Sequence, residues 1–243
     1  MSNANQEDRL RDRAPDDAAV RRNPPARWPA RAPIEGSWTG LEPVDPEAFA
    51  AALFAASHRD KSEAEQLWRY MPYGPFADEK AFRAWLGDCA SSADPLFYAI
   101  EDHDSGGVVG MASFLNIFPK NGSIEIGHIW FGPAVQRSRL TTEALYLMMR
   151  HAMDDLGYRR LEWKCNALND PSRAAARRLG FRFEGIFYKH LVVKGHNRDT
   201  AWYSILDDEW PAVRANFEEW LSPDNFDAGG RQKRSLSAMN AGR

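Results

Sequence analysis

Residues 124–156 read IEIGHIWFGPAVQRSRLTTEALYLMMRHAMDDL, and this stretch decides the fold. At its start Ile124, Ile126, His128 and Trp130 alternate with Glu125, Gly127, Ile129 and Phe131, the period-two order of a pleated strand. Apolar groups stand on both faces, so the strand belongs in the middle of its sheet. From Leu140 the period lengthens: Thr141, Leu145, Met148, Met149, Ala152 and Leu156 recur at helical spacing until Gly157 offers a stop. Between the two elements, residues 136–142 fall where a helix N-terminus leaves backbone N–H groups without intrahelical partners. With Arg137 and Arg139 adding positive charge, that geometry suits a phosphate or pyrophosphate.

Working outward, the 243 residues read as one folded domain over 34–221 between a disordered arm, 1–33, and a disordered tail, 222–243. Pro24, Pro25, Pro29 and Pro33 interrupt the arm, and only Trp28 is a candidate to pack back on the domain. The net charge of −3, with no basic block in the central region, argues against a nucleic-acid partner. No apolar run is long enough to cross a bilayer, so no membrane partner is expected. Cys89 and Cys165 lack neighbours at metal-ligand spacing, which implies no metal and two ordinary thiols in a reducing cytoplasm.

In chain order, 36–44 reads as a strand and 47–57 as a helix introduced by Pro43 and Pro46. Then Trp68, Tyr70, Met71, Tyr73 and Phe76 crowd around two prolines and Gly74, either a satellite core or the wall of an acceptor pocket. Asp78 caps a helix over 79–89, and strands over 95–101 and 108–118 form a hairpin leading into the central strand. After Gly157, RRLEWKC alternates as a strand expected to lie parallel to the central one, since a helix joins them. Pro171 opens a short helix that Gly180 ends; 181–193 and 197–206 form a hairpin whose outer edge offers a place for a homodimer to pair; and 207–221 closes the domain as a helix.

Over roughly residues 36–210 the chain resembles the GNAT N-acetyltransferase superfamily, in its RimJ/RimL-like branch. The order of elements carries the resemblance together with three signatures. Gln136-Arg137-Ser138-Arg139-Leu140-Thr141, followed by Thr142, stands at the place of the family's Q/R-x-x-G-x-G/A pyrophosphate loop. Arg139 and Thr141 replace its small residues there, and Arg137 occupies a position often filled by glycine. Asn169-Asp170-Pro171-Ser172 with Arg178-Leu179-Gly180-Phe181 is similar to the N-x-x-S...LGF segment, and the ending FRFEGIFYKHLVVKGHNRDTAWYSILDDEW to the branch's terminal hairpin.

The resemblance implies a mixed α+β fold of the GNAT acyl-CoA N-acyltransferase type, with a mostly antiparallel twisted sheet and helices on both faces. It implies acetyl-CoA as cosubstrate, a primary amine of a small molecule or a protein N-terminus as acceptor, and direct transfer. Main-chain donors of Arg137, Ser138, Arg139, Leu140, Thr141 and Thr142, with Gln136, would hold the diphosphate. Asn169 and Ser172 would meet the pantetheine arm and thiol, and the Phe131 N–H would meet the thioester carbonyl. Glu125 is the preferred base, acting through water, while His128 on the opposite face reads as a core residue and Asn116 and His190 as pocket candidates. Ala176 stands where many members carry a tyrosine acid, leaving Ser172 or water to protonate the thiolate. A catalytically silent CoA-binding module is the alternative.

Overall fold

Eight strands and seven α-helices form among the described residues of the computed structural model, which are 10, 13–15, 17–20 and 25–241. They fall into two compact units, Ala26–Leu161, and Glu162–Arg243 with Met1–Pro25.

In Ala26–Leu161, strands β1 (Ile34–Glu35), β2 (Thr39–Pro43), β3 (Leu96–Asp102), β4 (Gly107–Phe118) and β5 (Ser123–Phe131) pair in chain order, each antiparallel to the next. Between β2 and β3 come α1 (Pro46–Ser57), α2 (Lys61–Trp68) and α3 (Glu79–Ser91). Each has an aspartate N-cap: Asp45, Asp60 and Asp78 accept from amides of the first turn, satisfying donors that the helix cannot. Leu53, Trp68, Phe82 and Leu86 are fully buried with Phe97, Met111 and Trp130 in one apolar cluster. Helix α4 (Arg139–Arg150) packs on β1, β2 and β5, then loosens into a π-turn over His151–Asp155, and Gly157 turns the chain at φ +82°. The expected apolar stripe was too narrow: every residue of α4 from Leu140 to Met149 is buried, Glu143 included.

Here the expected arm is partly folded. Arg27 N–H donates to Leu156 O at 2.9 Å, and the Tyr98 hydroxyl donates to Ala30 O at 3.0 Å. Buried Pro29, not half-exposed Trp28, is the side chain that packs. The rest of that arm, apart from 10, 13–15, 17–20 and 25, lies outside the described residues.

Strand β6 (Arg160–Asn166) has Leu161, Trp163 and Cys165 buried in alternation, and the other unit, from Glu162 onward, continues with α5 (Asp170–Arg178). β7 (Arg182–Val193) and β8 (His196–Leu206) form an antiparallel hairpin in the order β6-β8-β7, followed by α6 (Trp210–Leu221). The expectation of a disordered tail from 222 is overturned. Asn225 ties the segment back: its Nδ2 donates to Trp220 O and Arg234 O at 3.1 Å, and its Oδ1 accepts from Arg234 N–H at 3.0 Å. A short helix, α7 (Leu236–Asn240), then buries Leu236 completely, and Asn240 Nδ2 donates to Arg178 O at 3.0 Å. A buried polar hub supplies the order that a polar composition seemed to deny. Among the described residues no helix is long and apolar enough to cross a membrane.

Leu236→Ala is expected to remove about 2–5 kcal/mol of stability, the cost of emptying a leucine site in a packed core. A urea titration showing an unchanged midpoint would mean that the segment after 221 contributes nothing to the fold.

Candidate active site

The strand that organises the fold is not a uniform strand. Met111 pairs with Trp130 but Ser113 with Gly127, so one β4 residue faces two on β5, and His128 takes φ +52°. A bulge of this kind inverts the alternation. It moves His128 and Trp130 from the face expected for them onto the face of Glu125. Gly127, a glycine inside a strand, was the sequence signal for it. Gly110 permits the close approach of β4 to β5 here, because a Cβ would lie 2.5 Å from Trp130 O.

On that face Glu125 is buried, and its Oε2 accepts from Asn116 Nδ2 at 2.6 Å. Asn116 itself sits at φ +48°, its N–H and that of Ile117 both donating to the Asp94 carboxylate. His128 Nδ1 lies 3.0 Å from Ser113 Oγ, and its ring stacks on Phe97 with centroids 5.1 Å apart. Tyr73 packs against His128 at 5.7 Å and Trp85 at 4.5 Å, and Trp68 joins Tyr73 to Trp130. These aromatic side chains pack as one cluster against the apolar core and β5. The Tyr73 ring is half-buried but its hydroxyl is fully covered and makes no hydrogen bond, and the same holds for Trp130 Nε1. Burial pushes the Tyr73 hydroxyl well above its ordinary pKa, and the Cys89 thiol up to about 12.

His58 fixes the loop that carries Tyr73. Its Nε2 accepts from Phe76 N–H at 3.0 Å, so Nδ1 carries the proton and donates to Ser57 Oγ at 2.8 Å. The ring stacks on Phe54 at 4.4 Å, and burial lowers its pKa from 6.5.

Beyond β5, Gln136 Nε2 donates to Phe131 O at 3.0 Å and holds the loop. Arg137 adopts φ +62°, so the position that resembles a family glycine takes the left-handed region. Ser138 is the N-cap of α4: its Oγ accepts from Thr141 N–H at 3.2 Å, and its carbonyl from the Thr142 hydroxyl at 3.0 Å. Two of the donors expected for phosphate, the N–H groups of Thr141 and Thr142, are thus engaged by Ser138 itself, at 3.2 Å to its Oγ and 3.4 Å to its carbonyl. Arg139 opens the helix, its guanidinium 4.7 Å over the Trp38 ring, and Leu140 follows, buried. Glu143, which no motif singled out, accepts from the N–H groups of Ser37 at 2.8 Å, Trp38 at 2.6 Å and Thr39 at 3.1 Å. The need for a small residue beside it falls on Gly36, where a Cβ would lie 2.9 Å from the Glu143 carboxyl carbon.

In the other unit Asn169 is the N-cap of α5, accepting from Ser172 N–H at 3.2 Å. Ser172 Oγ in turn accepts from Trp163 Nε1 at 3.1 Å, an orientation that leaves the hydroxyl proton for donation elsewhere. Ala176, where many family members carry a tyrosine, is fully buried. His190 Nδ1 lies 3.0 Å from Thr200 Oγ1 on the terminal hairpin.

Comparison with known proteins yields a match of residues 40–182 to the acetyltransferase (GNAT) domain family. A crystal structure of a GCN5-related N-acetyltransferase from Brucella melitensis superposes with TM-score 0.86 at 46% identity, covering 89% of this chain and 97% of that one. YnaD of Bacillus subtilis (strain 168), named an uncharacterized N-acetyltransferase, is 27% identical over 145 residues, 59% of this chain and 82% of YnaD. The RimL ribosomal L7/L12 alpha-N-protein acetyltransferase superposes with TM-score 0.60 at 21% identity over 72% of this chain and 93% of its own, a likeness of fold alone.

Two outcomes follow from this geometry. Arg137→Gly is expected to raise stability by about 0.5–1 kcal/mol, the ~1–2 kcal/mol of left-handed strain less the entropy of a glycine, whereas Arg137→Ala leaves it unchanged; thermal unfolding of the pair checks this. His58, with its folded pKa depressed, refuses a proton that the unfolded chain binds, so stability is complete above 6.5 and declines as pH falls below it. Unfolding midpoints taken through that window should fall less steeply in His58→Gln, whose amide oxygen still accepts from Phe76; equal slopes would refute the assignment.

Proposed function

The chain belongs to the GNAT acetyltransferase family, and from that premise we propose that it moves an acetyl group from acetyl-CoA to a primary amine, that of a protein N-terminus or a small molecule, by direct transfer. The observation that carries the reading is the opening of α4. A helix N-terminus directs backbone N–H groups and the positive end of its dipole outward, and Ser138, Arg137 and Arg139 surround it. Residues 136–142 are assigned to the diphosphate on this basis, with Arg139 held in place by the face of Trp38. Phe131 is assigned to the thioester carbonyl through its N–H, and Asn169 and Ser172 to the pantetheine arm and thiol. The hydrogen bond from Trp163 supports Ser172 as a proton donor, since it occupies an acceptor lone pair and spares the hydroxyl proton. Acetyl-CoA supplies an activated acyl group, and the protein's part is to hold it, to dock an ammonium and to take protons away.

For the ammonium, buried Glu125 provides a fixed carboxylate beside an aromatic wall that excludes water. Buried Cys89 and Cys165 fit a reducing compartment, and we place the reaction in the cytoplasm. The exposed apolar side chains of Phe187, Tyr188, Leu191 and Val192 on outer strand β7 support pairing of two subunits there.

Calorimetric titration with acetyl-CoA, paired with CoA release in the presence of a peptide with a free N-terminus or of spermidine, tests the reading. Arg139→Ala is expected to weaken acetyl-CoA about tenfold, the worth of one charge-assisted contact. Absence of heat on titration, or binding without CoA release from either amine, would overturn it, the latter in favour of a silent binding module.

A further inference from the structure

The side chain that meets Ser172 Oγ lies outside every motif. It is Trp163, which β6 buries by its alternation and whose ring packs 5.6 Å from that of Phe181. Phe181 is itself buried just before β7, and its N–H donates to Ala176 O at 3.0 Å, so the indole rests on a fixed support. From there Trp163 Nε1–H donates to Ser172 Oγ at 3.1 Å. The direction of that bond is not open, because an indole nitrogen carries a proton and offers no acceptor lone pair. Ser172 is therefore held twice: its N–H donates to Asn169 Oδ1 at 3.2 Å, and its oxygen receives the indole. Neither bond spends the hydroxyl proton.

The identity of residue 176 makes this arrangement consequential. Alanine stands where many family members carry a tyrosine. A phenol, with a pKa of about 10, is a fair acid beside a thiolate, whereas an aliphatic hydroxyl is about as weak an acid as water. Ser172 can serve a departing sulfur only if it gains a proton as it gives one and if the charge that gathers meanwhile on its oxygen meets a donor. A buried N–H already fixed on that oxygen is such a donor, and it needs no reorganisation when the charge develops. We infer that Trp163 is a positioning residue for Ser172, its Nε1–H holding the serine oxygen, leaving the hydroxyl proton to the departing sulfur and steadying the oxygen during the transfer.

The inference rests on the transferase reading, with Ser172 at the thiol. In the step, the amine, its ammonium proton already lost, forms the C–N bond from its lone pair to the acetyl carbon, and the C–S bond breaks with its electron pair on sulfur. Ser172 Oγ gives its proton to sulfur and takes one from nitrogen. The hydroxyl ends as it began, the products are the amide and the free thiol, and Trp163 keeps its own proton throughout.

A double-variant cycle reads the coupling. In the CoA-release assay with the free-N-terminus peptide and with spermidine, Ser172→Ala is expected to lower kcat about 100-fold. Trp163→Phe, which keeps a ring against Phe181 but loses the N–H, is expected to lower kcat about tenfold, with acetyl-CoA affinity by calorimetry unchanged. On the Ser172→Ala background the same change leaves kcat within about twofold, because its contribution passes through the missing oxygen. An equal loss on both backgrounds, or no loss on either, overturns the inference, since ring packing does not depend on Ser172. The bond itself is read without turnover by nitrogen-15 NMR of the indoles in the full chain. The Trp163 Nε1–H signal is expected to move in Ser172→Ala and to exchange faster with solvent; indole signals that all stay in place overturn the inference even where Trp163→Phe fails to fold. A chain that binds acetyl-CoA and acetylates neither amine sinks the transferase reading and this inference with it.

Discussion

A single buried carboxylate sets the frame in which the candidate cofactor site exists. Glu143 reaches from α4 to the turn between β1 and β2 and receives the N–H groups of Ser37, Trp38 and Thr39. Charged acceptors make hydrogen bonds worth roughly 1.5–3 kcal/mol each, and a buried anion without them would be untenable. The consequence reaches along the helix. By fixing the backbone of Trp38, Glu143 also fixes the ring on which the Arg139 guanidinium rests, one turn earlier in α4. The same carboxylate that anchors the helix therefore aims the first charge at its N-terminus. Gly36 is the local requirement for it, because a side chain there would collide with both Leu147 and Glu143.

How much of this was legible depended on whether the information was local. Helix caps at Asp78, strand alternation through β6 and the glycine stop after α4 are decided within a few residues, and they formed where the pattern placed them. Glu143 could not be read, since its partners lie about a hundred positions away and a glutamate on a helix ordinarily faces water. The folded segment after 221 escaped for a similar reason. Its composition is polar, but Asn225 uses its donors and acceptors on backbone groups from both sides, which no count of hydrophobic residues reveals. At the candidate site the errors were of register. One inserted residue on β5 exchanged the faces of His128 and Trp130, so a correct strand delivered an incorrect neighbour list.

Two left-handed residues bracket the decisive segment, and they have different standing. Arg137 gains nothing visible from its conformation beyond delivering the chain to the Ser138 cap; its strain, on the order of 1–2 kcal/mol, is a cost of entering α4 at this angle. His128 shares the conformation but acquires Ser113 and Phe97 as partners by it, and lies beside Tyr73 as a result. Backbone strain persists where surrounding structure over-determines it, and an observed outlier is a reason to ask what it positions. At Lys194 the answer is a hairpin turn, and at Asn116 a bulge satisfied by Asp94 and Glu125. At His128 the partners orient a ring instead of completing a turn.

The covered hydroxyl of Tyr73 and the indole N–H of Trp130 are two polar exceptions within the aromatic cluster. Each forgoes a hydrogen bond in the folded chain, at roughly 1–3 kcal/mol apiece, although loops and indole rings ordinarily adjust to avoid this. Tyr73 is held there by ring contacts with Trp68, Trp85 and His128, and the loop that follows it by the contact of Phe76 N–H with His58.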